Sequence, residues 1–492
     1  MLRARHVALL SAISLGVIGT SASAADGTAP VSSAPSPTSE RPVHELIDSR
    51  PGGLTAEVVG LRAAKTSYSA RAAEENVRAA AAHVDAAWAA FLPRLTATAR
   101  YTRLSKFTPP SLAAGSLVGT LAPPGTVNPP TTAIGSLSFP LVLDNYLLQA
   151  SIVVPVSDYF LKINQAYSAA THSRDAARYD AIGARAKSAT EGKLAYYSWL
   201  RARGATRVAQ DALVDQQAHY SDAQHVFDVG SASRADVLRA ETSVAAAELQ
   251  IERSSSLVAI TEKQVQLATH SNDNDKLVPG ETLETPLPPI EQDTKALERE
   301  AFSQRMELRS IDANIAALRN HSKAAIGSAL PSLSGFANGY YSNPNIRRFP
   351  MKDEWFPSWD VGAQLVWTPN DAFSGRFGAN DFNAQAAALE AQRVMMQEAI
   401  ALEVLQAVTG AKEAHVAIST AARELASASE AYRVARELFK AGRAISATLT
   451  DAQTELTRAR LDALNAAVDA RVARVKLDHA VGRDAKQLAM AP

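Results

Sequence analysis

The chain has 492 residues, with 50 basic and 50 acidic side chains and a net charge near zero. That balance argues against nucleic acid or an anionic membrane surface captured by charge. There is no cysteine, so disulfides, a thiolate nucleophile and cysteine-based metal sites are excluded. Aromatics make up only 6% while Ala abounds, the composition of long, closely packed helices rather than of a globule with a thick core.

Residues 1–24 read as a secretory signal: a basic head at Arg3, Arg5 and His6, a short apolar run from Val7 to Gly19, and small residues at Ala22-Ser-Ala24. No Cys follows the expected cut, so export without an acyl anchor is expected. Residues 25–53 begin rich in Pro, Ser and Thr and read as a flexible leader. A helical pattern then runs from about Leu54 to Phe91 and stops at Leu92-Pro93, because Pro93 pushes its predecessor out of the helical region. Leu95 to Thr102 alternates apolar and polar residues, the pattern of a half-buried strand. Residues 105–145 are rich in Pro and Gly and read as loop. Tyr146 to Val156 alternates again. A long helical pattern follows from Asp158 to Phe227, then a tight turn at Val229, Gly230, Ser231 and Ser233, then a helix to His270.

Residues 271–290 read as a linker, after which the same order returns in 291–482, followed by a tail over 483–492. A helix ends at Leu330-Pro331, weaker strands cover Leu333–Tyr340 and Val361–Trp367, and a long helix runs from Asp371 to Lys440. A second turn follows at Ala441, Gly442, Arg443 and Ser446, and a last helix reaches Ala480. Pro93 answers to Pro331, Asp158 to Asp371 and Gly230 to Gly442. The offset falls between the first two pairs and then holds nearly constant, as in an internal duplication whose first strand-linking loop is longer (repeat 1, 54–270; repeat 2, 291–482). At each turn Gly supplies the left-handed conformation that ends a helix. Ser233 with Asp236, and in the second copy Thr448 with Asp451, read as capping pairs for the returning helix.

The lengths carry a further expectation. In each repeat the two shorter helices, end to end, equal the long one of about 70 residues, roughly 105 Å, so each repeat forms two columns of equal height. Such a rod has no large core, and four strands cannot close a barrel, whose smallest membrane examples have about eight. Both features demand further copies of the chain. Tyr101, Phe139, Tyr146, Phe349, Trp355, Phe356 and Trp359 fall at strand ends or on adjoining loops, where membrane barrels keep aromatic girdles. Each is equally accounted for as an ordinary loop anchor.

The whole resembles the TolC family of outer-membrane efflux proteins over about residues 54–482. The resemblance rests on Leu92-Pro-Arg-Leu95 and Leu330-Pro-Ser-Leu333, on Arg305-Met-Glu-Leu308, on the turns at Gly230 and Gly442, and on Leu477-Asp-His-Ala-Val-Gly482. It implies a mostly α fold with a small β part: an α-helical barrel in the periplasm of a Gram-negative bacterium, continued by a twelve-stranded β-barrel in outer-membrane lipid and completed by a homotrimer. It also implies a periplasmic adaptor docking at the turns and an inner-membrane pump or ABC exporter as partners. In the family, acidic residues six and nine places after the second turn's glycine line the periplasmic mouth. Here those places hold Thr448 and Asp451, while the first turn has Asp236 and Arg239. The expected constriction is therefore one ring of Asp451, with Arg239 pairing across the turn; Asp236 and Asp451 also read simply as first-turn carboxylates favoured by the helix dipole.

No phosphate-binding loop, dinucleotide fingerprint, His-Glu-x-x-His or nucleophile elbow is present, so neither an enzyme nor a cofactor is expected. His219 and His225 are six apart, wrong for a metal pair on one helix face, and they read, with His415 and His479, as surface or seam residues. The competing reading is a non-conducting periplasmic coiled-coil spacer or envelope tether, for which the alternating strands would have no use.

Overall fold

The computed structural model describes residues 47, 49–106, 118–120, 132–134, 142–271, 277–283, 287–289, 293–349 and 351–485. The expected signal, most of the leader, Phe139 and the end of the tail lie outside them.

In the first repeat α1 (Ala56–Thr66) and α2 (Tyr68–Ala89) lead to β1 (Arg94–Arg103). Two short strands, β2 (Val118–Thr120) and β3 (Thr132–Ile134), pair with each other inside the segment expected to be all loop. Strand β4 (Asp144–Val154) returns, and a short turn α3 (Val156–Asp158) and a π-helical turn (Tyr159–Ile163) feed α4 (Asn164–Asp228). The first tip joins α4 to α5 (Arg234–Thr269). In the second repeat α6 (Thr294–Gln304), α7 (Met306–Ser328), β5 (Ser332–Asn343), β6 (Phe356–Val366), α8 (Pro369–Lys440) and α9 (Ser446–Val481) follow in the same order.

The first and sixth helices end where no Gly or Pro announces it. Ser67 takes φ −58°, ψ 131° and Arg305 φ −65°, ψ 124°, one extended residue each. Both stand at the same distance before Pro93 and Pro331. Tertiary contacts hold the two breaks. Ser188 Oγ lies 3.0 Å from Ser67 Oγ. The Arg305 guanidinium donates to the carbonyls of His479 (3.2 Å) and Ala480 (3.4 Å), and pairs with Glu307 and Glu403, each at 3.1 Å. Arg305 thus satisfies carbonyls that the end of α9 leaves open.

The described part of the predicted linker is packed down rather than loose. Leu54 bridges Pro279, and a Cβ on Gly280 would come 2.3 Å from the Gly53 carbonyl oxygen, so this close backbone approach needs glycine. Arg471, 3% exposed in its side chain, reaches Glu281 (3.3 Å) and the Thr282 carbonyl (3.0 Å). Ile47, Val59, Tyr196, Trp199, Leu200, Leu277, Leu283, Leu464 and Val468 form the largest buried cluster beneath this belt. A second cluster joins α6, the start of α7, α8 and the end of α9 through Leu297, Leu308, Ile400, Val404 and Leu477.

The main sheet has the order β1-β4-β5-β6, all neighbours antiparallel. Register puts Leu95, Ala97, Ala99 and Tyr101 opposite Ile152, Ala150, Leu148 and Tyr146. It then puts Ala337, Gly339 and Tyr341 opposite Val361, Trp359 and Pro357. One face is therefore wholly apolar at these positions. The other carries Thr96, Thr98, Arg100, Gln149, Ser151, Asn338, Tyr340, Ser358, Asp360 and Gln364. Strand parity alone performs this sorting. β1 and β6 are left as edges.

Candidate functional site

The two tips lie where α4 turns into α5 and α8 into α9. At the first, the amides of Gly230, Ser231 and Ala232 donate to the carbonyls of Phe227 (2.8 Å) and Val226 (3.0 and 3.2 Å). Gly230 is at φ +80° and Gly442 at φ +67°, with nothing near an added Cβ at either. The glycines serve the backbone conformation alone. At the second tip, Gly442 and Arg443 donate in the same way to Phe439 and Leu438, both at 2.9 Å.

The returning helices start differently. Ser233 and Asp236 form the expected capping box: the Asp236 amide donates to Ser233 Oγ at 3.3 Å, and the Ser233 amide donates to Asp236 Oδ2 at 3.1 Å. The Ser233 hydroxyl also donates to that carboxylate (2.7 Å), and the two bonds from Ser233 hold the Asp236 carboxyl below its ordinary range. In the second copy the expected pair Thr448 and Asp451 does not cap. The N-cap is Ile445, which has no side chain that can accept. The helix begins at Ser446, two residues before Thr448, so Thr448 and Asp451 lie in its first turns, both exposed. Arg239 does not reach across the turn: it pairs within its own helix with Asp236, 3.4 Å away.

Val229, Gly230, Ser231, Ser233, Ala441, Gly442 and Arg443 are all exposed. Ser446, expected on the same surface, is 2% exposed and bonds His219 instead, with Oγ 3.1 Å from Nε2. Beneath the tips Ala223, Ala240, Ala435, Phe439 and Leu449 form a small core. Ala223 and Ala240 let α4 and α5 approach closely, while Phe439 and Leu449 fill the space under the second turn. Nothing local to α4 marks His219's place here, because its partners come from the other repeat.

At the sheet, Tyr101, Tyr146 and Trp355 stand in a row with centroids 5.1 and 5.9 Å apart, and Tyr341 stacks on Trp355 at 5.0 Å. Phe349 and Trp359 are about three-quarters exposed, at 76% and 74%. Phe356 lies on the polar-face parity, opposite Ser342, under the Arg348 guanidinium at 5.1 Å. Sequence reading missed the opposite end, where Phe160 is 77% and Trp367 58% exposed; an aromatic one residue past the β6 end was the available signal. Among the described residues no cluster of His, Asp or Glu fits a metal ion, and no helix is long and apolar enough to cross a membrane.

The arrangement of long paired helices under a four-stranded sheet recurs in solved outer-membrane channels. VceC of Vibrio cholerae matches with a TM-score of 0.69 at 16% identity, covering 87% of this chain and 96% of that one. CmeC of Campylobacter jejuni matches with a TM-score of 0.67 at 15% identity, covering 92% and 94%. The open-state channel MtrE of Neisseria gonorrhoeae gives 0.69 at 15%, covering 90% and 93%. At such identities the likeness establishes the fold. No curated protein matches the chain. The outer membrane efflux protein family matches residues 62–269 and 297–483, and the chain belongs to that family. It is an outer-membrane efflux channel component that extends into the periplasm, and it is not an enzyme.

Proposed function

We propose that three copies close head to tail into one passive duct, with the apolar face of the sheet in outer-membrane lipid and the polar face lining the bore. The observation that carries this is the pair of open flanks on the single chain. On one flank, β1 is an unpaired edge and α5 exposes Ile260 (57%) and Leu267 (62%). On the other, β6 is an unpaired edge and α8 exposes Phe377 and Met395, each 67%. The flanks differ from each other, so a two-fold dimer would leave one pair bare. A head-to-tail contact uses both and closes as a ring. Three copies give twelve strands and no free edge. A spacer reading leaves the apolar sheet face unexplained.

Energy would come from an inner-membrane pump or ABC exporter, through a periplasmic adaptor docked at the exposed tip residues around Val229 and Arg443. Asp451, exposed near the start of α9, would form the ring of charge at the mouth. The test is current through planar bilayers holding the purified protein. Stepwise conductance from a trimeric species is expected, and Asp451→Ala should shift the reversal potential toward weaker cation selectivity. A folded monomer that carries no current would overturn the duct. An unchanged reversal potential in Asp451→Ala would remove that residue from the mouth.

A further inference from the structure

His219, on α4 about two and a half turns before the first tip, is enclosed, at 2% exposure. Its Nε2 faces Ser446 Oγ at the start of α9, and its ring meets Phe439 of α8 edge to face, with centroids 5.2 Å apart. Its other nitrogen, Nδ1, is buried with no hydrogen-bond partner. A neutral imidazole tolerates this, since one nitrogen is then a bare acceptor. A second proton would leave a buried donor and a charge with nothing to receive them.

The neighbouring carboxylates face other cations and donors, though Asp222 Oδ2 is buried without a hydrogen bond. On α4 itself, Asp222 faces Arg436 (3.7 Å) and Lys440 (4.0 Å) of α8, and Asp215 binds Arg460 of α9 at 3.1 Å. On α5, Asp236 is held by Ser233 and Arg239. Tyr432 of α8, pushed up to about 12 by burial, stays neutral and offers no charge. On α9, Gln453 is 1% exposed with both amide atoms unpartnered, so it adds no anchor. Burial holds His219 below the usual histidine range, against a smaller upward pull from Asp222.

We propose that His219 is an acid-sensitive coupling between the two tips: neutral, it pins the uncapped start of α9 onto α4, and protonated, it lets that start go. The sign follows from the depressed titration. The contact is fully present above the unfolded value of about 6.5 and is lost as pH falls through the lower folded value. The proposal rests on the duct reading in one respect, that the released end is the mouth.

Hydrogen exchange followed by mass spectrometry on the full-length protein tests it, at pH 7.5 and 5.5 and corrected for intrinsic exchange. In the wild type, exchange over residues 446–456 should rise several-fold at the lower pH, while residues 234–242 stay unchanged. His219→Gln keeps a donor toward Ser446 but cannot titrate, and should abolish the rise. An equal rise in His219→Gln, or none in the wild type, overturns the coupling. If the variant fails to fold, exchange of the imidazole C2 proton in the wild type decides: a titration midpoint at or above 6.5 overturns it and a lower one supports it. Bilayer current recorded in parallel separates the two readings. An exchange difference without current at any pH sinks the duct and leaves the coupling. Current whose pH dependence is unchanged in His219→Gln, with no exchange difference, sinks the coupling and leaves the duct.

Discussion

The first tip is complete within its own repeat, and the second is not. Phe227 and Phe439 occupy equivalent places, three residues before each glycine, yet Phe227 is 38% exposed and Phe439 only 3%. Ser233 caps α5 with its own side chain, whereas Ile445, its counterpart, is 70% exposed and caps nothing. The second turn is held instead by contacts with α4, through His219, Phe439 and Ser446. One copy of a duplicated hairpin kept a self-sufficient cap. The other has none and depends on its sister, which makes its position adjustable from outside.

The contrast can be broken most sharply at the phenylalanines. Phe439→Ala should lower the local opening free energy of residues 432–450 by about 3–5 kcal/mol, the usual loss for a buried aromatic. Phe227→Ala should stay within about 0.5 kcal/mol, as for a surface change. Equal effects, read by native-state hydrogen exchange, would mean that the two tips are packed alike. Next come the glycines. With open space around each, Gly230→Val and Gly442→Val should each cost about 1–2 kcal/mol from left-handed strain alone. A much larger cost at Gly442 would reveal neighbours pressing on the second turn. Smallest are the caps. Ser233→Ala should loosen the start of α5 by about 1 kcal/mol, and Ile445→Ser should tighten the start of α9 by a similar or smaller amount. An Ile445→Ser protein whose α9 start exchanges as fast as before would show that no cap can form there.

Much of this was legible from residue pattern. Pro93 and Pro331 fixed the helix-to-strand corners, Gly230 and Gly442 the tips, and period-two alternation the faces of β1 and β4, because all of these are local steric or parity effects. The breaks at Ser67 and Arg305 were not legible. Neither residue is a helix breaker; Arg305 leaves the helix to reach carbonyls of α9 far along the chain. Thr448 and Asp451 were misread as a cap for a related reason. Their spacing imitates Ser233 and Asp236, but α9 starts three residues earlier and spends those positions inside its first turns. The burial of His219 and Ser446 was hidden because each is enclosed by residues of the other repeat.

The matched interruptions at Ser67 and Arg305 have a consequence for how the two halves correspond. One copy makes its bend with a hydroxyl, the other with a guanidinium, and the two share no chemistry. What the two halves share is the place of the kink, measured back from the proline corner, and not the residue that makes it. Shifts in length on one side of that kink turn every later side chain of α2 or α7 about its axis, roughly 100° for each residue added or removed. The distance between kink and corner therefore sets which face of α2 or α7 meets its neighbours, whichever residue makes the bend.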